Sequence, residues 1–150
     1  MEISIKQSSG RIHTVVENEV ERNLKGIFLM FEGLPPTIAD SQVGTHVREM
    51  KQLGVEMDIW SGSFLTSAYN EALMRVDQVK NLSNADIVVF KAVKHNLPFS
   101  GLFNAIILHR KLKELNKHID FIHARTDYAA YVCGYLKLIR NIHFYLGLSW

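Results

Sequence analysis

Residues 26–60 read GIFLMFEGLPPTIADSQVGTHVREMKQLGVEMDIW, and this stretch decides the fold. It opens with a short, almost wholly apolar run, which is typical of a strand covered on both faces of a parallel sheet. The segment over 41–54 has helical periodicity, and Gly54 is suited to end that helix. Its apolar face consists of Val43, Val47 and Met50. A second strand over 55–60 follows at once, and a strand, a helix and a strand joined by short links favour a right-handed parallel crossover.

The alternation of helices and strands continues along the rest of the chain. The predicted elements are a helix over 65–82, a strand over 85–93, a helix over 97–117, a strand over 118–125, a helix over 126–140 and a strand over 141–148. The apolar spacing is weakest in the first of these helices, where it rests on Tyr69, Leu73 and Val76. The next helix is predicted to face the sheet with Leu108, Leu112 and Leu115, and Thr126 or Asp127 is suited to cap the last one. The sum predicts an α/β fold with a doubly wound, mostly parallel Rossmann-like sheet and helices on both faces.

Length and composition limit the number of domains. At 150 residues, 47% apolar and 21% charged, the chain is long enough for one ordinary core. We divide it into an N-terminal extension over 1–25, to which we assign no role, and a single domain over 26–150. Because the domain stops at LGLSW, on an apolar strand with no polar tail, we expect it to be truncated at its carboxyl end.

Charge and composition disfavour several classes of protein. A formal charge of +2 is far below that of a dedicated nucleic-acid binder, so no nucleic-acid partner is expected. Cys133 is the single cysteine, and the seven histidines lack metal-ligand spacing, so we expect no metal and no bound cofactor. The amino end has no apolar signal core, and no run of about 18 apolar residues occurs. We expect a cytoplasmic protein, either free or peripheral to the inner face of a membrane.

Two loops are candidates for the functional site, because open parallel sheets bind ligands at the carboxyl ends of their strands. The first runs from Glu32 to His46 and leads into a helix whose amino end, near Ser41 to Gly44, favours an anion such as phosphate. The second is the HARTD turn after the fourth strand, where an imidazole, a guanidinium and a carboxylate lie within five positions. Those three groups belong to His123, Arg125 and Asp127.

Two blocks of the sequence resemble a known enzyme family. The block DSQVGTHVREMKQLGVEMDIW at 40–60 resembles the amino-terminal signature of family 4 glycosyltransferases. The block DFIHARTDYAAYVCGYLKLIRNIHFYLGLSW at 120–150 resembles a later strand, turn, helix and strand of the same family. The resemblance implies a retaining, metal-independent enzyme of the two-domain GT-B type. In such an enzyme this half holds the acceptor, and a second Rossmann domain holds the nucleotide-sugar co-substrate.

The resemblance also assigns roles to the candidate residues. His123 is the catalytic candidate, which orients a sugar hydroxyl, while Arg125 steadies an anionic group. Arg125 stands where members often have a second histidine, and a guanidinium cannot act as a general base at neutral pH. Gly44 takes over the backbone flexibility that paired glycines give other members. The substrate-binding candidates are Ser41, Gln42, Gly44, His46, Arg125 and Asp127.

The implied function is transfer of a sugar from a nucleotide-sugar to a glycan or lipid-linked acceptor. A missing C-terminal domain or a partner chain would supply the donor site. A second class stays open, namely a non-catalytic subunit or truncated product that docks to a partner domain. A nicotinamide dehydrogenase is disfavoured because EGLPPTIADSQVG, after the first strand, has no G-x-G-x-x-G turn. A receiver-like domain is disfavoured because Glu32 and Asp40 form no acidic magnesium cluster.

A basic run lies in the predicted helix over 97–117. Its members are Arg110, Lys111, Lys113 and Lys117. Such a run predicts either contact with anionic lipid near a lipid-linked acceptor or simply the solvated face of a helix.

Overall fold

The computed structural model describes residues 23–146. The strands are β1 (Leu24–Met30), β2 (Val55–Ser63), β3 (Ile87–Lys91), β4 (Phe121–Ala124) and β5 (His143–Leu146). The helices are α1 (Gly44–Gln52), α2 (Thr66–Ser83), α3 (Ser100–Glu114) and α4 (Asp127–Arg140). A short helical turn, Pro36–Ile38, and a π-helical turn, Ala39–Val43, lead directly into α1. Residues 1–22 of the predicted extension over 1–25, and the final GLSW at 147–150, lie outside the described residues.

The five strands form one parallel sheet with the order β3-β2-β1-β4-β5. Phe28 of β1 lies in register with Ile59 of β2 on one side and with His123 of β4 on the other. The chain runs outward from β1 through β2 to β3 and then crosses back to β4 on the opposite side of β1. The switch point of the topology, where loops diverge and leave a crevice, therefore lies between β1 and β4. The predicted Rossmann-like fold is confirmed.

Two layers of helices cover the two faces of the sheet. On the first face, α1, α2 and the π-helical turn pack on β1 and β2 through a buried apolar cluster that includes Phe28, Met30, Ile59, Val43, Val47, Ala72 and Val79. On the second face, α3 and α4 pack on the sheet through a cluster that includes Leu29, Trp60, Phe90, Leu108, Leu112, Val132 and Leu136. Because both faces of β1 are buried, its run of apolar residues is uninterrupted.

Several local predictions are confirmed by the backbone. Gly54 ends the α1 segment with φ of +80°, a left-handed conformation that favours glycine. The Thr126 hydroxyl accepts a hydrogen bond from the Ala129 amide at 3.2 Å and so caps α4.

Other predictions were wrong in detail. The helical path after β1 begins at Pro36 and not near Ser41, because the turn and the π-helical turn extend α1 backwards. Leu115 is exposed because α3 ends at Glu114, so it does not face the sheet with Leu108 and Leu112. In α2 the buried positions are Ala72, Val79 and Ser83, whereas Leu73 points to solvent. The first strand begins at Leu24, two residues before the predicted domain boundary.

Candidate functional site

A polar cluster occupies the switch point between β1 and β4. Arg125, which follows β4, forms an ion pair with Glu32, which follows β1. The Arg125 guanidinium also donates a hydrogen bond of 3.1 Å to the side-chain oxygen of Gln42, which lies in the π-helical turn. The Arg125 side chain is only 10% exposed, whereas that of Glu32 is 35% exposed and opens toward solvent. We call Glu32, Gln42 and Arg125 the switch-point cluster.

The parallel register explains how residues 93 positions apart meet. Leu29 lies opposite Ala124, and the Arg125 amide donates to the Leu29 carbonyl at 3.0 Å. The pairing of β1 with β4 thus continues one residue past the end of β4. Arg125 and Glu32 then leave the sheet side by side, so that their side chains meet above the carboxyl ends of the strands.

Contacts from α2 and from β2 hold the loop that carries Glu32. Arg75 donates to the Leu34 carbonyl and forms an ion pair with Asp40. Gln78 donates to the other Asp40 carboxylate oxygen at 3.3 Å. The buried Ser61 hydroxyl of β2 donates to the Gly33 carbonyl at 2.7 Å. Both ends of the loop are therefore fixed to the body of the domain before any ligand arrives.

Three of the predicted site residues do not join the switch-point cluster. The Ser41 hydroxyl donates back to the Thr37 carbonyl within its own helical turn. Gly44 is buried with ordinary helical angles, and its amide donates to the Ala39 carbonyl, so it neither flexes nor offers a donor to phosphate. Asp127 is the exposed first residue of α4, where a carboxylate is favoured by the helix dipole. The segment from Ser41 to Gly44, which was predicted to bind phosphate, is thus part of the helix, and its groups form hydrogen bonds within the helix.

His46 and His123 lie together, on the sheet face below the cluster. Their ring centroids are 5.3 Å apart. The His123 ring stacks on Phe28 at 4.8 Å, and the His46 ring meets Phe28 edge-on at 5.8 Å. The Nε2 atom of His46 is buried without a hydrogen-bond partner among the described residues. The structure therefore brings the two predicted histidines together, although no hydrogen bond between described residues links them to Arg125.

His123 lines a groove of about 560 Å³ on this face, toward the amino ends of β4 and β5. The groove is bordered mainly by apolar and aromatic side chains, among them Leu24, Met50, Val55, Phe121 and Tyr145. Burial lowers the pKa of His123 below its ordinary value, and the neighbouring His46 lowers it further. The imidazole is therefore neutral near pH 7, where it can donate one hydrogen bond and accept another.

Sequence reasoning missed a group of aromatic rings beside the switch point. Phe64, His95 and Tyr128 follow three different strands, and their ring centroids lie 5.3 to 6.1 Å apart. Buried Asn104 fixes this region, because it pairs with both backbone polar groups of Val93 and donates to the Tyr128 hydroxyl at 2.7 Å. Phe64 directly follows β2 and Tyr128 lies in the first turn of α4, and those positions were a usable signal, whereas His95 lies in the loop after β3.

Glu32 was also missed as a site residue, although it was noted as an isolated carboxylate. Its position two residues after the first strand, like that of Arg125 directly after the fourth, was the available signal. The strand order decides whether those two ends are neighbours, and that order was not predicted. Arg125 was expected to steady an anionic group of the ligand, but in the structure Glu32 already occupies that position.

The described residues contain neither a candidate metal site nor a helix that could span a membrane. Between residues 23 and 146, no three side chains of His, Cys, Asp or Glu are grouped so as to hold a metal ion. The helices in this range are also too short or too polar to cross a membrane.

Comparison with known proteins adds one structural likeness. Neither a protein-family model nor a curated protein sequence matches the chain. A solved structure, a glycosyltransferase from Rickettsia africae ESF-5, is similar with a TM-score of 0.50 and 16% sequence identity. What the two share is the fold. The match covers 82% of this chain and 29% of that glycosyltransferase, so this chain corresponds to a minor part of the longer protein.

Proposed function

We propose that this chain is the acceptor-binding part of a sugar-transferring enzyme. The observation that carries the proposal is the switch-point cluster, in which Arg125, Glu32 and Gln42 converge where doubly wound sheets bind their ligands. The likeness of the fold to a glycosyltransferase supports the same class of reaction. The finer proposal is a retaining, metal-independent enzyme of family 4 with the two-domain GT-B arrangement.

The charge of the cluster favours an acceptor over a nucleotide diphosphate. A diphosphate needs uncompensated cations or a row of free amides, as at the start of a helix. Here the Arg125 charge is balanced by Glu32, and the Gly44 amide is used within the helix. A neutral sugar suits the cluster better, because each hydroxyl can accept from Arg125 and donate to Glu32 or Gln42.

The two histidines have a supporting part in this proposal. In this proposal neutral His123 orients a sugar hydroxyl, and His46 packs against the His123 ring with a buried Nε2 atom. Ser41 and Asp127 are exposed, one residue before Gln42 and two residues after Arg125, and would contact a longer acceptor. Holding the acceptor in one fixed pose is itself a large contribution to catalysis.

The donor requires a second site in this scheme. Transfer needs the donor and acceptor in one closed cleft, so a second Rossmann-like domain binds the nucleotide-sugar and closes on the switch point. The acceptor is a glycan or a lipid-linked glycan. A non-catalytic docking subunit is the alternative, and it predicts no carbohydrate binding at the cluster.

The proposal is tested by calorimetry with a panel of acceptor glycans, nucleotide-sugars and nicotinamide dinucleotides. We expect an acceptor glycan to bind the wild-type chain and nucleotide-sugars to bind at least about tenfold more weakly. Arg125→Met should weaken acceptor binding by about tenfold to a hundredfold, since hydrogen bonds to a charged group are worth about 1.5–3 kcal/mol.

The matched control is Arg48→Met, which removes an exposed arginine from α1, outside the cluster. It should leave acceptor binding unchanged. Tight binding of a nucleotide-sugar or of a nicotinamide dinucleotide to the chain alone would overturn the assignment. Absence of binding to the whole glycan panel would favour the docking subunit.

A further inference from the structure

Helices α3 and α4 lie side by side on the second face of the sheet, and their outer side carries large apolar residues. Leu138 is 84% exposed, and Phe103 and Tyr131 are each about half exposed. Phe103 and Arg110 are two turns apart on one side of α3, as are Tyr131 and Leu138 on α4. We call this outer side the α3–α4 surface, defined by Phe103, Arg110, Lys113, Tyr131, Lys137 and Leu138.

The cations of this surface have no carboxylate partners. Arg110, Lys113 and Lys137 are exposed and form no ion pair or side-chain hydrogen bond within residues 23–146. The two helices carry one carboxylate each, Glu114 at the end of α3 and Asp127 at the start of α4. On the opposite face, charges occur in pairs of both signs, such as Arg75 with Asp40.

Of the two buried groups beneath the surface, Arg140 adds a positive charge, whereas His109 does not, because its lowered pKa keeps the imidazole neutral near pH 7. The Nη1 atom of Arg140 and the Nδ1 atom of His109 are buried without hydrogen-bond partners among the described residues. Burial lowers the pKa of His109, and the nearby Lys113 and Arg140 charges lower it further. Lys117 of the predicted basic run does not contribute, because it is paired with Asp58 and Asp86.

We propose that the α3–α4 surface docks on an anionic lipid bilayer. Lysine and arginine beside exposed leucine, phenylalanine and tyrosine match both the headgroup charge and the apolar boundary beneath it. Glu114 and Asp127 lie one turn from Arg110 and Tyr131, but they form no ion pair with the surface cations and are outnumbered by them. This excess of positive charge favours a partner with dense negative charge. The inference does not depend on the proposed sugar transfer, because the switch-point cluster lies at the edge of the sheet and takes no part in it.

Vesicle flotation of the full chain tests the proposal. The chain should float with vesicles of phosphatidylcholine containing about one-third phosphatidylglycerol, and not with phosphatidylcholine alone. Salt at about 0.5 M should release most of it, because surface charges are then screened. Leu138→Asp should reduce binding, whereas Met74→Asp, at a 79% exposed position on α2, should not.

Charge reversal supplies an independent comparison. Arg110→Glu with Lys113→Glu should lower the partition coefficient by at least roughly 25-fold, since each surface cation contributes about a fivefold factor. Arg48→Glu with Lys94→Glu changes the net charge equally at exposed positions outside the surface and should have a much smaller effect.

Absence of flotation with anionic vesicles would overturn the proposal. Equal losses in the two charge-reversal pairs would overturn it as well, since binding would then follow net charge alone. A dimer in solution that Leu138→Asp dissociates, without vesicle binding, would assign the surface to a second copy of the chain instead.

Discussion

Arg125 and Glu32 are 93 residues apart in sequence and form an ion pair above the carboxyl ends of β4 and β1. Glu32→Ala should leave the mostly buried Arg125 charge without its carboxylate and destabilise the domain by about 1–2 kcal/mol. Glu49→Ala, at an exposed position on α1, should change the stability by less than about 0.5 kcal/mol. The measurement is urea unfolding of both variants. Equal free energies of unfolding for Glu32→Ala and the wild type would show that the ion pair contributes nothing measurable.

Two glycines offer a matched test of packing. A Cβ added at Gly62 of β2 would lie 2.6 Å from the buried Phe31 ring and 3.0 Å from the buried Phe90 ring. Gly62→Ala should therefore lower the free energy of unfolding by about 1–3 kcal/mol. At Gly134 of α4 a Cβ meets nothing within 4 Å, so Gly134→Ala should raise it by about 0.5–1 kcal/mol. The same unfolding assay checks both signs, and a stabilising Gly62→Ala would contradict the packing described at the end of β2.

The half-buried imidazole of His123 predicts a pH dependence of stability. Because its pKa is lowered in the folded chain, the unfolded chain binds more protons when the pH falls below about 6.5. The stability from this group is therefore fully present above that pH and is lost as the pH decreases. His123→Gln should lose less stability than the wild type between about pH 7.5 and pH 5.5. Exposed His95→Gln is the control, and an unchanged slope in His123→Gln would contradict the assignment.

The single cysteine should be chemically inert in the folded chain. Cys133 is buried in α4, and burial raises its pKa to about 12. Because the thiolate is the reactive form, a thiol reagent at about pH 8 should label Cys133 only after unfolding. Mass spectrometry before and after addition of urea gives the comparison. Equal labelling rates in the two states would show that α4 does not shield this residue as the structure describes.

Sequence periodicity predicted the sheet well because the strands are rich in apolar residues, and β1, β2 and β4 are buried on at least one face. It served less well for α2, where the buried side is built from small residues such as Ala72 and Ser83 and the larger Leu73 is exposed. The π-helical turn was not predicted, since no local pattern separates it from an α-helix. As a result, the start of the helix, and with it the expected phosphate site, was placed too late in the chain.

The candidate site could be predicted only in part for a related reason. Arg125 and Gln42 were selected because each lies next to the end of a strand or the start of a helix. Their partner Glu32 depended on the order of strands in the sheet, which local patterns do not specify. His46 and His123 were both selected, but their proximity arises from the pairing of β1 with β4 beside α1.

The central claim is that the switch-point cluster holds an acceptor sugar, and chemical-shift mapping of the isotope-labelled chain tests it most directly. An acceptor glycan should shift the amides of Glu32, Gln42 and Arg125, and a nucleotide-sugar added alone should leave them unchanged. Shifts at these amides caused by the nucleotide-sugar alone, or an acceptor that shifts only residues far from the cluster, would contradict the account.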